Sequence, residues 1–401
     1  MNAGRHTALQ ELAGVLAGTA ALWRPAPFHD DPPWVVRFPA LRDALLALDD
    51  AGIDALEHDP QQLADRIAQH IPEFAGLMPP ALRCLDSREI PLPLDLPESL
   101  GRDVPGRKWQ QTLHFAAACG RPQGTVLDWC CGKAHLGRVL ARHYGNAVSG
   151  IERNGALCAA GRALAQREHL PVQLHQADVL RHPPVDVLRD SMHAVALHAC
   201  GYLHLALLEQ AAAAGVPALD LAPCCYHLTA DENWQPLSRA LAGTALTLSR
   251  AELRLAVHET ATASARVTTQ SRRLASWRLG FDRLQRTLRG IDEYLPTPSR
   301  PARVLRDGFA AFCRDLAAHH RIALPAGTDF THWENTGRQR LARVRRLELV
   351  RHAVRRPLEI LLVTDRALWL EDHGYEVSLR LFCPPGLTPR NLLVRARRSA
   401  A

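Results

Sequence analysis

The residues best suited to chemistry lie in one stretch, Val126-Leu127-Asp128-Trp129-Cys130-Cys131-Gly132-Lys133-Ala134-His135-Leu136-Gly137. There a short apolar run gives way to a turn and then to a helical pattern. A turn of this kind offers free backbone amides at a helix N-terminus, and in an α/β sheet it is where a nucleotide binds. Two more acids follow the next two apolar runs: Glu152, 24 residues after Asp128, and Asp178 in the sequence HQAD. An acid placed like Glu152 suits ribose hydroxyls; one placed like Asp178 suits the exocyclic amino group of adenine. Three acids at successive strand ends are more specific than any one of them. The plainer alternative is a β–α turn with acids there by coincidence.

A D-x-G-x-G-x-G pattern is expected of such a loop, yet Cys130 and Ala134 stand at the first and third glycine positions and only Gly132 remains. Glycine is what permits close backbone approach to phosphate. A dinucleotide pyrophosphate is therefore disfavoured, and a nucleoside ligand without phosphates, such as S-adenosylmethionine, is tolerated better. On this reading Asp128, Cys130, Gly132, Lys133, Glu152 and Asp178 hold the cofactor.

Positioning these residues takes alternating strands and helices. Thr125–Trp129, Ala147–Ile151, Val172–His175, His193–His198 and Ala218–Ala222 read as strands, and Leu136–Tyr144, Ala156–Glu168 and Leu203–Ala214 as the helices between them. Strands separated by helices of this length predict right-handed crossovers and a parallel, Rossmann-like α/β sheet. Leu358–His373 reads as a last helix stopped by Gly374, and Glu376–Phe382 and Asn391–Arg397 as two closing strands, the last of them running antiparallel. Four segments result: a helical region 1–100, with helical spacing at Phe38–Leu48 and Pro60–Ile71; a core 101–230; an Arg-rich helical insertion 231–355, divided at Pro296–Pro301; and the end of the core, 356–401. The four prolines of Ile90–Pro105 predict a linker.

The motifs VLDWCCGKAHLG, GIER, LHACG and APCCYH resemble the class I methyltransferases of the methyltransferase-like group that carries HxCG and CCY motifs. Relatives in that group include ribosomal-RNA-adenine-dimethylase-domain-containing proteins, a glutathione S-transferase C-terminal-domain-containing protein and, more remotely, tRNA 2′-O-methyltransferases. Thr364-Asp365-Arg366 and Thr388-Pro389-Arg390-Asn391 resemble segments near that group's end. The similarity covers roughly residues 105–230 and 355–400, and implies S-adenosylmethionine more firmly than it implies an acceptor.

Methyl transfer is an in-line displacement in which an enzyme positions a nucleophile and, where needed, removes a proton. In such a sheet the reactive methyl lies beyond the carboxyl ends of the first, fourth and fifth strands. His198-Ala199-Cys200-Gly201 ends the fourth, and Ala222-Pro223-Cys224-Cys225-Tyr226-His227 the fifth. His198 is the expected base, Tyr226 the platform for a planar acceptor, and His227 the residue that orients it. The plainer readings are a hydrogen-bonded strand-end histidine and a core aromatic. Cys200 and His198 are also expected to wall the cofactor. No metal is expected, because adjacent cysteines fit one ion poorly; small apolar wall residues suit them better. Arg107, Lys108 and Gln111 lie on a helix leading into the first strand, where similar enzymes close over the cofactor. Arg390 and Asn391 sit at the turn into the last strand.

Hydrophobic residues make up 47% of the 401 and charged ones 22%, which excludes wholesale disorder. No apolar run reaches membrane-spanning length. Leu12–Trp23 reads as an amphipathic helix rather than a signal core, since Gln10 and Glu11 interrupt its approach. Ten dispersed cysteines, two pairs of them adjacent, read as a reduced cytoplasmic protein. The net charge of +7 is segregated: residues 1–100 hold 7 Arg against 15 Asp and Glu, and residues 227–356 hold 23 Arg against 12. Lys108 and Lys133 are the only lysines. A basic segment made of Arg suits RNA phosphates; the equal alternative is a solvated face docked on the acidic N-terminal part. RNA, as tRNA or rRNA, is the first acceptor expected, ahead of a protein side chain or a small molecule. A non-catalytic binding module stands as the alternative from another class. A nicotinamide oxidoreductase ranks last for want of G-x-G-x-x-G. The oligomeric state is left open.

Overall fold

A computed structural model describes residues 3–102, 104–182, 184–189, 192–229, 231–257 and 265–398. Seven strands form one sheet: β1 (Val126–Trp129), β2 (Val148–Glu152), β3 (Val172–Gln176), β4 (His193–Cys200), β5 (Ala218–Cys224), β6 (Tyr375–Leu381) and β7 (Leu392–Arg398). Their order is β3-β2-β1-β4-β5-β7-β6, parallel except for β7, which runs antiparallel to both neighbours. The order reverses between β1 and β4. A crevice opens at such a switch point, beyond the carboxyl ends of the strands.

β1 and β5 are buried along their whole length, as strands covered by helices on both faces must be. Asp220 on β5 is the polar exception. It is fully buried and accepts hydrogen bonds from His193 Nε2 at 2.8 Å, Arg395 Nε at 3.2 Å and Arg397 Nη2 at 3.0 Å, so it ties β4, β5 and β7 together. Burial of a carboxylate is tolerable where partners of this kind surround it.

The chain divides into two compact units that cut across the four segments drawn from the sequence. The first comprises residues 1–18, 76–259 and 354–401 and holds the sheet; the second comprises 19–75 and 260–353. In the first unit, helix Ala3–Gly18 buries Leu9, Leu12 and Leu16 on one face. Its Arg5 is buried and pairs with Glu371 at 2.5 Å and with Asp86. The proline-rich stretch expected to be a linker is packed wall instead: Leu94 and Leu96 lie against the core of the sheet unit and Leu100 is buried in it. Prolines keep this segment extended, and Leu94 and Leu96, two residues apart, turn inward while Leu92 stays exposed.

The second unit is built on helices Ala265–Arg289 and Phe330–His352, with Gly308–His320 and several short helices around them. Trp277, Phe281, Phe309 and Phe312 form its core. The two long helices cross where neither carries a side chain. A Cβ on Gly337 would stand 2.2 Å from the carbonyl oxygen of Ser276, and one on Gly280 would stand 2.6 Å from that of Trp333. The charges segregated along the sequence meet here. Asp31 binds Arg340 and Arg343, Asp54 binds Arg272 and Arg345, Asp50 binds Arg345, and Asp30 binds Arg286. The unit as a whole carries 22 Arg against 18 Asp and Glu. Residues 258–264 of the Arg-rich segment lie outside the described residues.

Candidate functional site

The loop from β1 to helix His135–Tyr144 keeps a glycine-rich conformation with one glycine. Cys130, Gly132 and Ala134 have φ of +54°, +59° and +54°. An L side chain in this region costs on the order of 1–3 kcal/mol, so the fold imposes the conformation on Cys130 and Ala134 against their preference. Two contacts impose it. The Gly132 amide donates to Glu152 Oε2 at 3.1 Å, and the Gly137 amide donates to Asp128 Oδ2 at 2.9 Å.

Asp128 is therefore a brace. It is 2% exposed and turned toward Gly137, and burial raises its carboxyl to about 7 against the pull of that amide and Lys108. A Cβ on Gly137 would stand 3.1 Å from its carboxylate. Glycine is needed there to let helix and strand approach. Lys133 packs its backbone against Gly161 of helix Gly155–Arg167 and does not line the crevice.

The crevice is a cavity of about 300 Å³ walled by Cys130, Ile151, Glu152, Asp178, Val179, Leu180, Cys200, Tyr202 and Leu203, with Arg153 and Leu228 at its margin. Glu152 and Asp178 bring two carboxylates to it. Each already accepts a backbone amide, Asn154 N at 2.8 Å and Leu180 N at 3.1 Å, which fixes its orientation. Two carboxylates and apolar walls repel a polyphosphate. They suit a ligand with hydroxyls, an exocyclic amine and a positive charge, which are the groups of S-adenosylmethionine.

At the tip of β4, His198 takes φ +65° where the pairing with β5 shifts register between Leu197 and Cys200. Its Nε2 lies 2.7 Å from Gln111 Oε1, and Gln111 Nε2 donates to the Leu387 carbonyl at 3.0 Å. That carbonyl only accepts, so the Gln111 oxygen must face His198. His198 Nε2 then carries the proton and Nδ1 the lone pair. Burial, with Arg390 and Lys108 nearby, lowers the His198 pKa to about 4. The imidazole is neutral near pH 7, as a hydrogen-bond acceptor or base requires.

Tyr226 is a core residue. It is 3% exposed, its hydroxyl donates to the Pro223 carbonyl at 3.1 Å, and its ring packs between His204 and the guanidinium of Arg366. The platform expected for a planar acceptor is thus occupied on its face by Arg366. His227 is half-buried, and its Nδ1 has no partner among the described residues. Beside it the sulfurs of Cys200, Cys224 and Cys225 converge. The Cys225 thiol is pushed down, first by the hydrogen bonds it accepts from Cys200 and Cys224, then by Arg390 and His227. Burial pushes Cys130 up to about 12.

The tail motifs turn out to brace this end of the sheet. Asp365 accepts from the Leu237 and Ser238 amides and from Ser238 Oγ. Arg366 donates to His204 Nε2 at 2.8 Å, and Asn391 donates to the Cys383 carbonyl and accepts from Arg356. Gln111 was legible in the sequence as a residue of the closing helix. Its hold on His198 was not, because it depends on a loop 276 residues away.

The doubly wound sheet is Rossmann-like, and its acid-lined crevice lies at the switch point, where sheets of this kind bind ligands. Residues 107–232, under a third of the chain, match a family model described as a methyltransferase domain. No curated protein matches the chain. Among solved structures it is similar to an RNA methyltransferase from Salinibacter ruber in complex with S-adenosyl-L-homocysteine: 17% identity, 33% of this chain, 85% of that one and a TM-score of 0.24. It is also similar to coclaurine N-methyltransferase bound to N-methylheliamine and S-adenosylhomocysteine, at 14% identity over 47% of this chain and 62% of that one, TM-score 0.25. A structure concerned with conversion of a disulfide bond into a thioacetal during echinomycin biosynthesis is 22% identical over 25% of this chain, TM-score 0.21. The chain spans 43% of that protein's length. These likenesses are too slight to bear on the acceptor.

Proposed function

We propose that the whole chain is an S-adenosylmethionine-dependent methyltransferase acting on RNA, tRNA or rRNA, in the cytoplasm. When bound, the cofactor supplies a methyl group on a positively charged sulfur. Glu152 would hold its ribose hydroxyls and Asp178 its adenine amino group, while Cys130 and Cys200 leave room beside it. The strained loop presents Gly132 without phosphate-binding glycines on either side. His198 Nδ1, kept unprotonated by burial and aimed by Gln111, would accept a proton or a hydrogen bond from the nucleophile. His227 would orient the acceptor.

The observation that supports an RNA acceptor is what survives pairing in the helical unit. Arg266, Arg273, Arg303, Arg306, Arg314 and Arg321 are exposed, and none has a carboxylate partner among the described residues. Exposed guanidinium groups of this kind suit phosphates. The test is transfer of labelled methyl to total RNA, together with RNA affinity measured at rising salt. Label in RNA and a steep fall of affinity with salt are expected. Label confined to protein or small molecules, or affinity indifferent to salt, overturns the RNA reading. Cytoplasmic residence rests on the cysteines, all ten of them free thiols. No helix among the described residues is long and apolar enough to cross a membrane.

One observation favours a small planar molecule or a protein side chain instead. A second cavity, of about 370 Å³, shares Leu180 and Tyr202 with the first and is lined also by Tyr226 and Trp234. The buried Nε1 of Trp234 has no partner there. The same labelling experiment separates the two readings. Failure to bind S-adenosylmethionine at millimolar concentration would instead favour a non-catalytic module.

A further inference from the structure

Consecutive residues of a strand point to opposite faces, so Cys224 and Cys225 are not expected to serve one ion. The structure departs from that rule. β5 ends at Cys224, and Cys225 takes φ +50°, which turns its side chain back toward the strand tip. On β4, the left-handed His198 and the register shift after Leu197 set Cys200 opposite Cys224. The outcome is three sulfurs within 4.8 Å of one another, with Cys200 and Cys224 3.4 Å apart. Three sulfurs on one tetrahedral ion with metal–sulfur bonds of about 2.3 Å lie about 3.8 Å apart, a spacing this cluster already brackets.

We propose that Cys200, Cys224 and Cys225 form a three-thiolate site for a soft d¹⁰ cation, zinc in the first place, whose fourth position opens toward the cavity that Cys200 lines. Three thiolates and one divalent ion leave a single negative charge. Arg390 stands close enough to Cys225 to offset it electrostatically. Three protein ligands and one open position are the arrangement of metal sites that take part in reactions, whereas structural sites are closed by four. Cys200 is half-buried and faces the cavity, which gives an ion a way in. The site does not depend on the identity of the acceptor, and a cofactor-binding measurement on the same protein tells the two readings apart.

The test uses the full chain, reduced and stripped with a chelator, then titrated with cobalt(II) alone. One equivalent per chain should produce the sulfur-to-cobalt charge-transfer band and the visible bands of tetrahedral cobalt, and zinc should displace them. Cys200→Ser and Cys225→Ser should lose the charge-transfer band while far-ultraviolet circular dichroism is retained. Cys158→Ser, on a helix outside the cluster, should keep it. A metal count on the purified wild type serves the same end without any variant. The proposal is overturned if reduced, folded wild type gives no band, or if the band survives in Cys225→Ser. It is equally overturned if the protein as purified lacks metal and is two hydrogens lighter through a Cys200–Cys224 disulfide.

Discussion

The crevice at the strand tips and the helical unit handle charge in different ways. At the strand tips Glu152 accepts only backbone amides, and Asp178 accepts the Leu180 amide while Arg153 and Arg181 come no nearer than 4.0 and 3.9 Å; both acids line a cavity. In the helical unit the acids accept guanidinium groups: Asp31 takes two, Asp54 two and Asp30 one. Carboxylates held by the main chain remain available to a ligand, and carboxylates held by arginine do not. The contrast shows why a charge run is a poor guide to a partner until its internal neighbours are known.

The largest effect expected concerns the strand tips. Glu152→Ala should weaken S-adenosylmethionine binding by about 1.5–3 kcal/mol, roughly tenfold to more than a hundredfold, because hydrogen bonds to a charged group are lost. Isothermal titration of the folded variant measures this, and unchanged affinity would break the assignment. His198 offers a comparable effect of another kind. Unfolded, its imidazole takes up a proton near pH 6.5; folded, it refuses one until about pH 4. Its contribution to stability is therefore fully present above pH 6.5 and is lost as pH falls toward 4, by about 3 kcal/mol. His198→Asn should flatten that part of the stability–pH curve, measured by denaturant titration at several pH values.

Asp128 sharpens the comparison from inside the sheet unit. As a brace whose carboxyl is raised to about 7, it should lose little on becoming neutral. Asp128→Asn, which keeps an oxygen for Gly137, should cost under about 1 kcal/mol, and Asp128→Ala about 1–3 kcal/mol by leaving that amide unsatisfied. Equal losses in thermal melts would show that the charge itself matters. Gly337→Ala should cost about 1–3 kcal/mol by forcing the two long helices apart, read as a lowered unfolding midpoint with cofactor affinity unchanged. The smallest effect belongs to the ion pairs. Asp54→Asn should cost at most about 1 kcal/mol, since Asp54 and Arg272 are both well exposed. That loss should shrink further in salt.

All seven strands were legible within two residues at each end, because β–α spacing and apolar runs are local signals. The acids were legible as strand-end residues, and Glu152 and Asp178 do line the cavity. What escaped depends on contacts distant in sequence. Arg340 and Asp31 are 309 residues apart, and nothing in either neighbourhood marks them as partners. Tyr226 escaped because the guanidinium on its face comes from Arg366, on a helix after the whole Arg-rich segment. The loop escaped for the opposite reason. Its sequence lacks two glycines, but the amide contacts of Glu152 and Asp128 hold the backbone as though they were there. Cys225 repeats the lesson: a strand-face argument fails where the strand has already ended.

Of the six non-glycine residues with positive φ among those described, Cys130 lines the crevice, Ala134 ends the loop that Cys130 begins, and His198 and Cys225 lie at the tips of β4 and β5. Each is a position where glycine would relieve the backbone, so a laboratory lineage selected only for heat resistance should drift toward glycine at all four. A lineage selected for turnover should refuse some of those exchanges. The positions it refuses would mark which of these side chains matter to the chemistry itself.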